Sequence, residues 1–184
     1  MRFHPTGLAD AWLVELAPIR DERGAFTRTF CEREFAAHGL EARFVQHSLS
    51  LNTRKGTLRG MHFQHPPHQE TKLVRCAKGA IWDVIIDLRP TSPTYLQWQA
   101  FELSAANAMQ LYIPSGLAHG FQTLEDDSEV HYLISQFYDA ASSSGVRYDD
   151  PLFGIAWPLP VSVISTRDQA WPGFASDAGP QGAD

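Results

Sequence analysis

Apolar residues along the chain fall in short runs rich in β-branched and aromatic side chains. The clearest are WLVELAPI (12–19), FVQHSLSL (44–51), TKLVRCAKG (71–79), AIWDVIIDL (80–88), TYLQWQAFEL (94–103), MQLYIP (109–114), EVHYLISQFY (129–138) and VSVIS (161–165). Gly, Pro, Asn, Asp or Ser separate them, as expected for strands joined by turns. One segment reads differently: CEREFAAHG (31–39) has the pattern of a short helix ended by Gly39. Many short strands and little helix predict an all-β chain, a β-sandwich or barrel with a few short helices. No repeat of fixed period is present. Residues 1–174 are expected to form a single domain, and ASDAGPQGAD (175–184), without apolar periodicity, a loose tail.

Polar residues break this pattern most sharply in LRGMHFQHPPHQETKLVR (58–75), which holds three histidines, a glutamate and a lysine around a Pro-Pro pair. A turn centred on Pro67 predicts a hairpin with His62 opposite Lys72 and Gln64 opposite Glu70. Alternation puts His62 and Gln64 on one face, with opposed Cβ atoms about 5 Å apart. The register decides the face, since a slip of one residue reverses it.

Three chemistries fit such a cluster. The spacing of Gly56, His62, Gln64, Glu70 and Gly79, followed by Pro114 to His119, outlines the two motifs of a cupin and raises a metal site. Gln64 stands where a second histidine would ligate, and an amide is a poor ligand for transition metals, so no metal is expected. Acid/base work is the second: an imidazole, with a reference pKa of about 6.5, accepts a proton at neutral pH, and a facing lysine can stabilise negative charge on oxygen. The third is structural, with His62 hydrogen-bonded inside the sandwich and Lys72 reaching out to solvent.

Bulk properties narrow the classes. The chain has 184 residues, enough for one domain with a real core, and its 43% hydrophobic and 20% charged residues are those of a globular protein. A net charge of −6 gives no general attraction to nucleic acid or to an anionic membrane, so an anionic ligand needs local arginines and lysines. No apolar run approaches the roughly 20 residues of a membrane span, and MRFHPTGLADAWLVEL lacks the layout of a signal peptide. Two cysteines, Cys31 and Cys76, make neither a disulfide framework nor a zinc ribbon. A cytoplasmic protein with reduced thiols is expected.

LRGMHFQ, KLVRCAKGAIWDVIIDLRPTSPTY, LYIPSGLAHGFQTL, VRYDDPLFGIAWP and STRD, in that order, resemble the dTDP-4-dehydrorhamnose 3,5-epimerase family from about Trp12 to Phe174. The resemblance implies a cupin-type jelly roll without metal or cofactor, usually a homodimer, that acts on a nucleotide-diphosphate sugar. It implies His62 as the base, Asp168 as the carboxylate behind it, Lys72 near the sugar's keto oxygen and Tyr132 as the acid on the opposite face. Tyr138 has the strand parity of Tyr132, which predicts both in one cavity. His119 matches a pocket histidine and Arg59 a diphosphate-binding arginine. Strict alternation turns Arg59 away from His62, so that placement requires a bulge or twist at Gly60. Arg23, usually reaching across the dimer, and Gln46 match nucleotide-contacting positions, and Phe26 a comparable aromatic one.

Three departures fall at the nucleotide end. Arg28 replaces a glutamate usual in the family, exchanging an acceptor for a donor. Gln46-His47-Ser48 replaces Gln-Asp-Asn, and Arg167 replaces the lysine before Asp168. The expected activity is epimerisation at C3 and C5 of a nucleotide-linked 4-keto-6-deoxyhexose through an enolate. Its alternatives are a mono-epimerase or ketoisomerase, a non-catalytic sugar-nucleotide-binding cupin, and a metal-dependent cupin.

Overall fold

The stretch AIWDVIID (Ala80–Asp87) is buried at every residue but Trp82, with Ile81 and Ile85 in one apolar cluster and Val84 and Ile86 in another. A strand that is apolar on both faces has to lie inside a sheet covered above and below, and the fold is arranged around that requirement. The computed structural model describes residues 1–174; the loose tail expected at 175–184 lies outside the described residues. In chain order the strands are β1 (Arg2–Pro5), β2 (Trp12–Glu15), β3 (Ile19–Asp21), β4 (Gly24–Phe26), β5 (Gln46–Asn52), β6 (Leu58–Gln64), β7 (Lys72–Lys78), β8 (Ala80–Asp87), β9 (Trp98–Ser104), β10 (Met109–Ile113), β11 (Leu117–Thr123), β12 (Ser128–Ile134) and β13 (Ser143–Gly145). Two short helices accompany them, α1 (Glu32–Ala37) and α2 (Thr166–Gln169).

One sheet has the order β1-β2-β10-β7-β12-β5 and the other β13-β6-β11-β8-β9. They enclose a core that includes Val74, Ile81, Ile85, Leu103, Leu111, Phe121 and Val130, the jelly-roll sandwich expected. The first sheet's outer face is covered by α1, whose fully buried Phe35 sits against Val14, Leu73 and Tyr112. On the second sheet's outer face, Met61, Val84 and Ile86 meet Val146, Phe153 and Trp157 from the last part of the described chain. Helix α1 stops where its sequence says it should: Gly39 takes φ +69°, a conformation only glycine adopts freely, and its N–H bonds the Ala36 carbonyl at 3.0 Å.

Several strand expectations are shortened by identifiable breakers. WLVELAPI stops at Glu15, three residues before Pro18, which has no N–H for a ladder. In TYLQWQAFEL the positive φ of Leu96 delays the strand to Trp98. VSVIS forms only an isolated bridge, Val163 to Thr57, because it is caught between Pro160 and Ser165, the residue that caps α2.

The larger correction concerns the hairpin. Strand β6 lies between β13 and β11, and β7 between β10 and β12, in different sheets. With both edges of each strand occupied, the two cannot pair, and the segment 65–71 crosses from one sheet to the other. Gln64 secures that crossing: its amide nitrogen donates to the carbonyls of His68 (2.8 Å) and Phe137 (3.3 Å), and its oxygen accepts from the Asp139 N–H (2.7 Å). Glu70, expected opposite Gln64, pairs instead with Lys72.

The irregularity required near Gly60 is present. His119 lies opposite His62 and Phe121 opposite Arg59, so three steps along β6 match two along β11. The extra residue brings Arg59 and His62 to the same side. Gly60 has φ +146°, and a Cβ there would stand 2.6 Å from Gly120 Cα. Gly60→Ala is therefore expected to cost about 2 kcal/mol or more, lowering Tm by roughly 4–8 °C. Thermal unfolding with an unchanged Tm would show that the bulge does not depend on glycine.

Candidate active site

A cavity of about 290 Å³ opens between the sheets. Strand β6 lends it Arg59 and His62, β7 Lys72, β11 His119 and β12 Tyr132, with Ser48 and Ser50 of β5 along one side. These are inward-pointing positions of strands whose other inward positions, Val74, Val130 and Phe121, are apolar core. The sandwich thus has a dry end and a polar end, and the polar end holds the candidate chemistry.

Asp168 completes the group from behind. It lies on α2, which the sequence reading did not anticipate, and its N–H donates to the hydroxyl of the capping Ser165 at 3.0 Å. One carboxylate oxygen meets His62 Nε2 at 2.6 Å and the other accepts the Gly60 N–H at 3.4 Å. Burial pushes this carboxyl upward, but His62, the Gly60 N–H and Ser165 together outweigh it and hold the group below its ordinary value. An ionised carboxylate there orients the ring. With Nε2 engaged, Nδ1 is the ring nitrogen left to accept a proton.

Lys72 is almost buried, and its ammonium bonds Glu70 Oε1 at 3.0 Å and the His62 carbonyl at 3.4 Å. A carboxylate beside a buried cation offsets much of its desolvation. His119 faces Asp83, with Nε2 at 3.0 and 3.1 Å from the two carboxylate oxygens. Complete burial raises the Asp83 carboxyl, while His119 and Lys72 pull it down. The Tyr132 and His119 rings meet in a T-shaped arrangement, their centroids 6.1 Å apart. Burial, reinforced by the charge of Asp83, pushes the Tyr132 phenol well above its ordinary value, so at neutral pH it carries a proton to donate.

The structure separates the remaining candidates from this group. Strand β12 ends at Ile134, so Tyr138 does not share the cavity of Tyr132; it is exposed, and its N–H bonds the Gln46 side chain at 2.8 Å. Gln46 opens β5 two residues before Ser48 and is outside the lining. Arg23 and Phe26 sit on the β3–β4 hairpin, which pairs with no other strand among the described residues, and both are exposed. Of the departing residues, Arg28 approaches Glu34 (3.7 Å), His47 is exposed and Ser48 lines the cavity. Arg167 donates to the Ser143 hydroxyl at 2.9 Å and lies 5.0 Å over the Trp171 ring. The positions that outline a cupin metal set are spoken for: His62 by Asp168, Gln64 by backbone, Glu70 by Lys72 and His119 by Asp83.

Sequence reasoning missed Asp83. Its signal was available: an aspartate sharing the parity of Ile81 and Ile85 in the middle of a largely apolar strand is a buried charge, which needs a partner. Among the described residues no helix is long and apolar enough to cross a membrane.

A jelly roll that encloses groups able to take, hold and return protons defines a class, the cupin-type isomerases. Comparison with known proteins narrows it. Residues 5–176 match the family model described as dTDP-4-dehydrorhamnose 3,5-epimerase. The dTDP-4-dehydrorhamnose 3,5-epimerase of Methanothermobacter thermautotrophicus is 44% identical over 173 residues, 92% of each chain. A dTDP-4-dehydrorhamnose 3-epimerase of Streptomyces niveus is 37% identical over 170 residues, 92% of this chain and 82% of that protein. The crystal structure of the 3,5-epimerase from Bacillus anthracis, with TDP and PPi bound, matches with a TM-score of 0.91 and 39% identity, over 94% of this chain and 99% of that one. The chain belongs to the dTDP-4-dehydrorhamnose 3,5-epimerase family.

The Asp168 carboxyl yields a test of the site's electrostatics. Because its folded-state value lies below the ordinary 3.8, its ionised form adds stability that is complete above about pH 5 and is lost as pH falls through the depressed value. The stability gap between this protein and Asp168→Asn, followed by denaturant unfolding, is expected to be widest near neutrality and to close below about pH 4. A gap independent of pH would mean that the ionised carboxylate gains nothing from its neighbours.

Proposed function

We propose that this enzyme inverts C3 and C5 of a nucleotide-linked 4-keto-6-deoxyhexose, converting dTDP-4-dehydro-6-deoxyglucose to dTDP-4-dehydrorhamnose. The observation that carries the reading is the 2.6 Å contact of His62 with Asp168 at the edge of a cavity shared with Lys72 and Tyr132. A ketone at C4 acidifies the C–H bonds on either side of it. His62 takes the proton from carbon, and the electron pair of that bond moves into the ring as the C4 carbonyl becomes an enolate. Lys72 stabilises the enolate oxygen, and Asp168 the imidazolium. Tyr132 then delivers a proton to the opposite face of the carbon, inverting it. Exchange with solvent returns His62 and Tyr132 to their starting states. His119, braced by Asp83, contacts the sugar beside Tyr132, and these steps call on no cofactor or metal.

Arg59 holds the diphosphate, with the fork geometry that suits phosphate oxygens. Gln46 and Tyr138, already joined to each other, lie toward the nucleotide. Arg23 and Phe26 come to the nucleotide from a second copy in a homodimer; an arm that pairs with no other strand among the described residues and the exposed Ile19, Leu49 and Leu51 support that arrangement. The free thiols of Cys31 and Cys76 support a cytoplasmic location.

Proton NMR of dTDP-4-keto-6-deoxyglucose incubated with the enzyme in heavy water tests the reading. Deuterium is expected at both C3 and C5. Incorporation at one carbon alone would place the enzyme with the mono-epimerases, of which the Streptomyces niveus relative is named as one. No exchange by folded protein on this or another nucleotide's sugar would leave a binding protein. His62→Ala is expected to abolish exchange at both carbons. Tyr132→Phe should retain washout of the substrate's own protons and lose about 10² or more of the inverted product.

A further inference from the structure

Arg59 is exposed yet not free. Its Nε donates to Oδ1 of Asn52 at 2.8 Å, and its Nη2 reaches the Leu51 carbonyl at 3.5 Å. Asn52 is 3% exposed, and every polar atom of its side chain is used. Its Nδ2 donates to the carbonyls of Ser50 (3.2 Å) and Ser128 (3.1 Å). Those two acceptors determine which way the amide points, since turning it over would set oxygen against two carbonyl oxygens. The amide oxygen is therefore held toward Arg59, and the Ser50 hydroxyl also donates to it at 3.3 Å. Asn52 belongs to β5 in one sheet and Arg59 to β6 in the other, so this contact bridges the sandwich beside the cavity.

We infer that Asn52 is a positioning residue that aims Arg59 at the substrate's diphosphate, an inference that rests on the role of Arg59 proposed above. A guanidinium offers a side edge, Nε with one terminal nitrogen, and an end edge formed by its two terminal nitrogens. Here the side edge is occupied by Asn52 and Leu51, which leaves the end edge for phosphate oxygens. A surface arginine otherwise loses considerable rotamer freedom when it grips a ligand. Fixing Nε beforehand removes part of that cost before the substrate arrives.

The test is a double-mutant cycle read by titration with dTDP and, separately, with thymidine. Asn52→Ala is expected to weaken dTDP about fivefold, the scale of one oriented hydrogen bond. It should leave thymidine binding unchanged and raise KM with little effect on kcat. In an Arg59→Ala background the same change should cost nothing further. If Asn52→Ala weakens dTDP equally with and without Arg59, or weakens thymidine as much as dTDP, the positioning role is overturned and Asn52 is only a tie between sheets. If Arg59→Ala alone leaves dTDP affinity intact, the diphosphate role of Arg59 itself falls, a result read without touching Asn52. Should Asn52→Ala fail to fold, Asn52→Ser carries the same cycle with the same expected direction.

Discussion

Two glycines in contact make the site possible. Gly60 and Gly120 face each other where β6 and β11 go out of step, and neither has room for a side chain: a Cβ on Gly60 would meet the Gly120 backbone, and one on Gly120 would meet Met61, the Arg59 carbonyl and Gly60 itself. This close approach lets β6 carry one residue more than its neighbour. The extra residue turns Arg59 and His62 to the same side, where a regular strand would have sent one of them out of the sandwich. It also frees the Gly60 N–H to reach Asp168. One local departure from the pleat therefore sets an arginine, an imidazole and the carboxylate behind that imidazole in relation to one another.

Around that departure the cavity carries two imidazole–carboxylate couples of opposite character. In the first, Asp168 is surrounded by donors and held down in pKa, so its charge is available to the His62 ring beside it. In the second, Asp83 is wholly buried and pushed up, with His119 between it and the cavity. Tyr132 stands against this second couple and is kept protonated by the same burial and the same aspartate. Environment alone thus sets the two walls apart, one carboxyl held down and the other carboxyl and the phenol pushed up. An epimerase needs that asymmetry, since removal and return of a proton on a single face would restore the starting sugar.

Much of this was legible in the amino-acid order. β-branched runs between turn residues located β7, β8, β10 and β12, and Gly39 located the end of α1. The polar residues of 58–75 announced a site because a buried strand rarely spends so many positions on polar groups. What local pattern could not carry was which sheet each strand joins. His62 and Lys72 read as hairpin partners, and the actual neighbours of both strands come from distant parts of the chain. Tyr138 read as an extension of β12 because period-two alternation continues past the point where the ladder stops. Asp168 sits in a single turn of helix too short to leave a periodic signature, and only the family resemblance pointed to it. Asp83 was hidden by the opposite fault, a strand so apolar that a charge in its middle passed as incidental.

The separation of the principal couple along the chain has a consequence for how the enzyme comes into being. His62 and Asp168 are 106 residues apart, and the aspartate lies close to the last described residues. During synthesis on the ribosome, the strands that frame the cavity emerge well before α2 does. A growing chain can therefore assemble the walls of the pocket while its imidazole still lacks the carboxylate that orients it. The couple is completed only once α2 has emerged, so a chain cut short before Asp168 would keep the walls of the pocket without the carboxylate behind its imidazole.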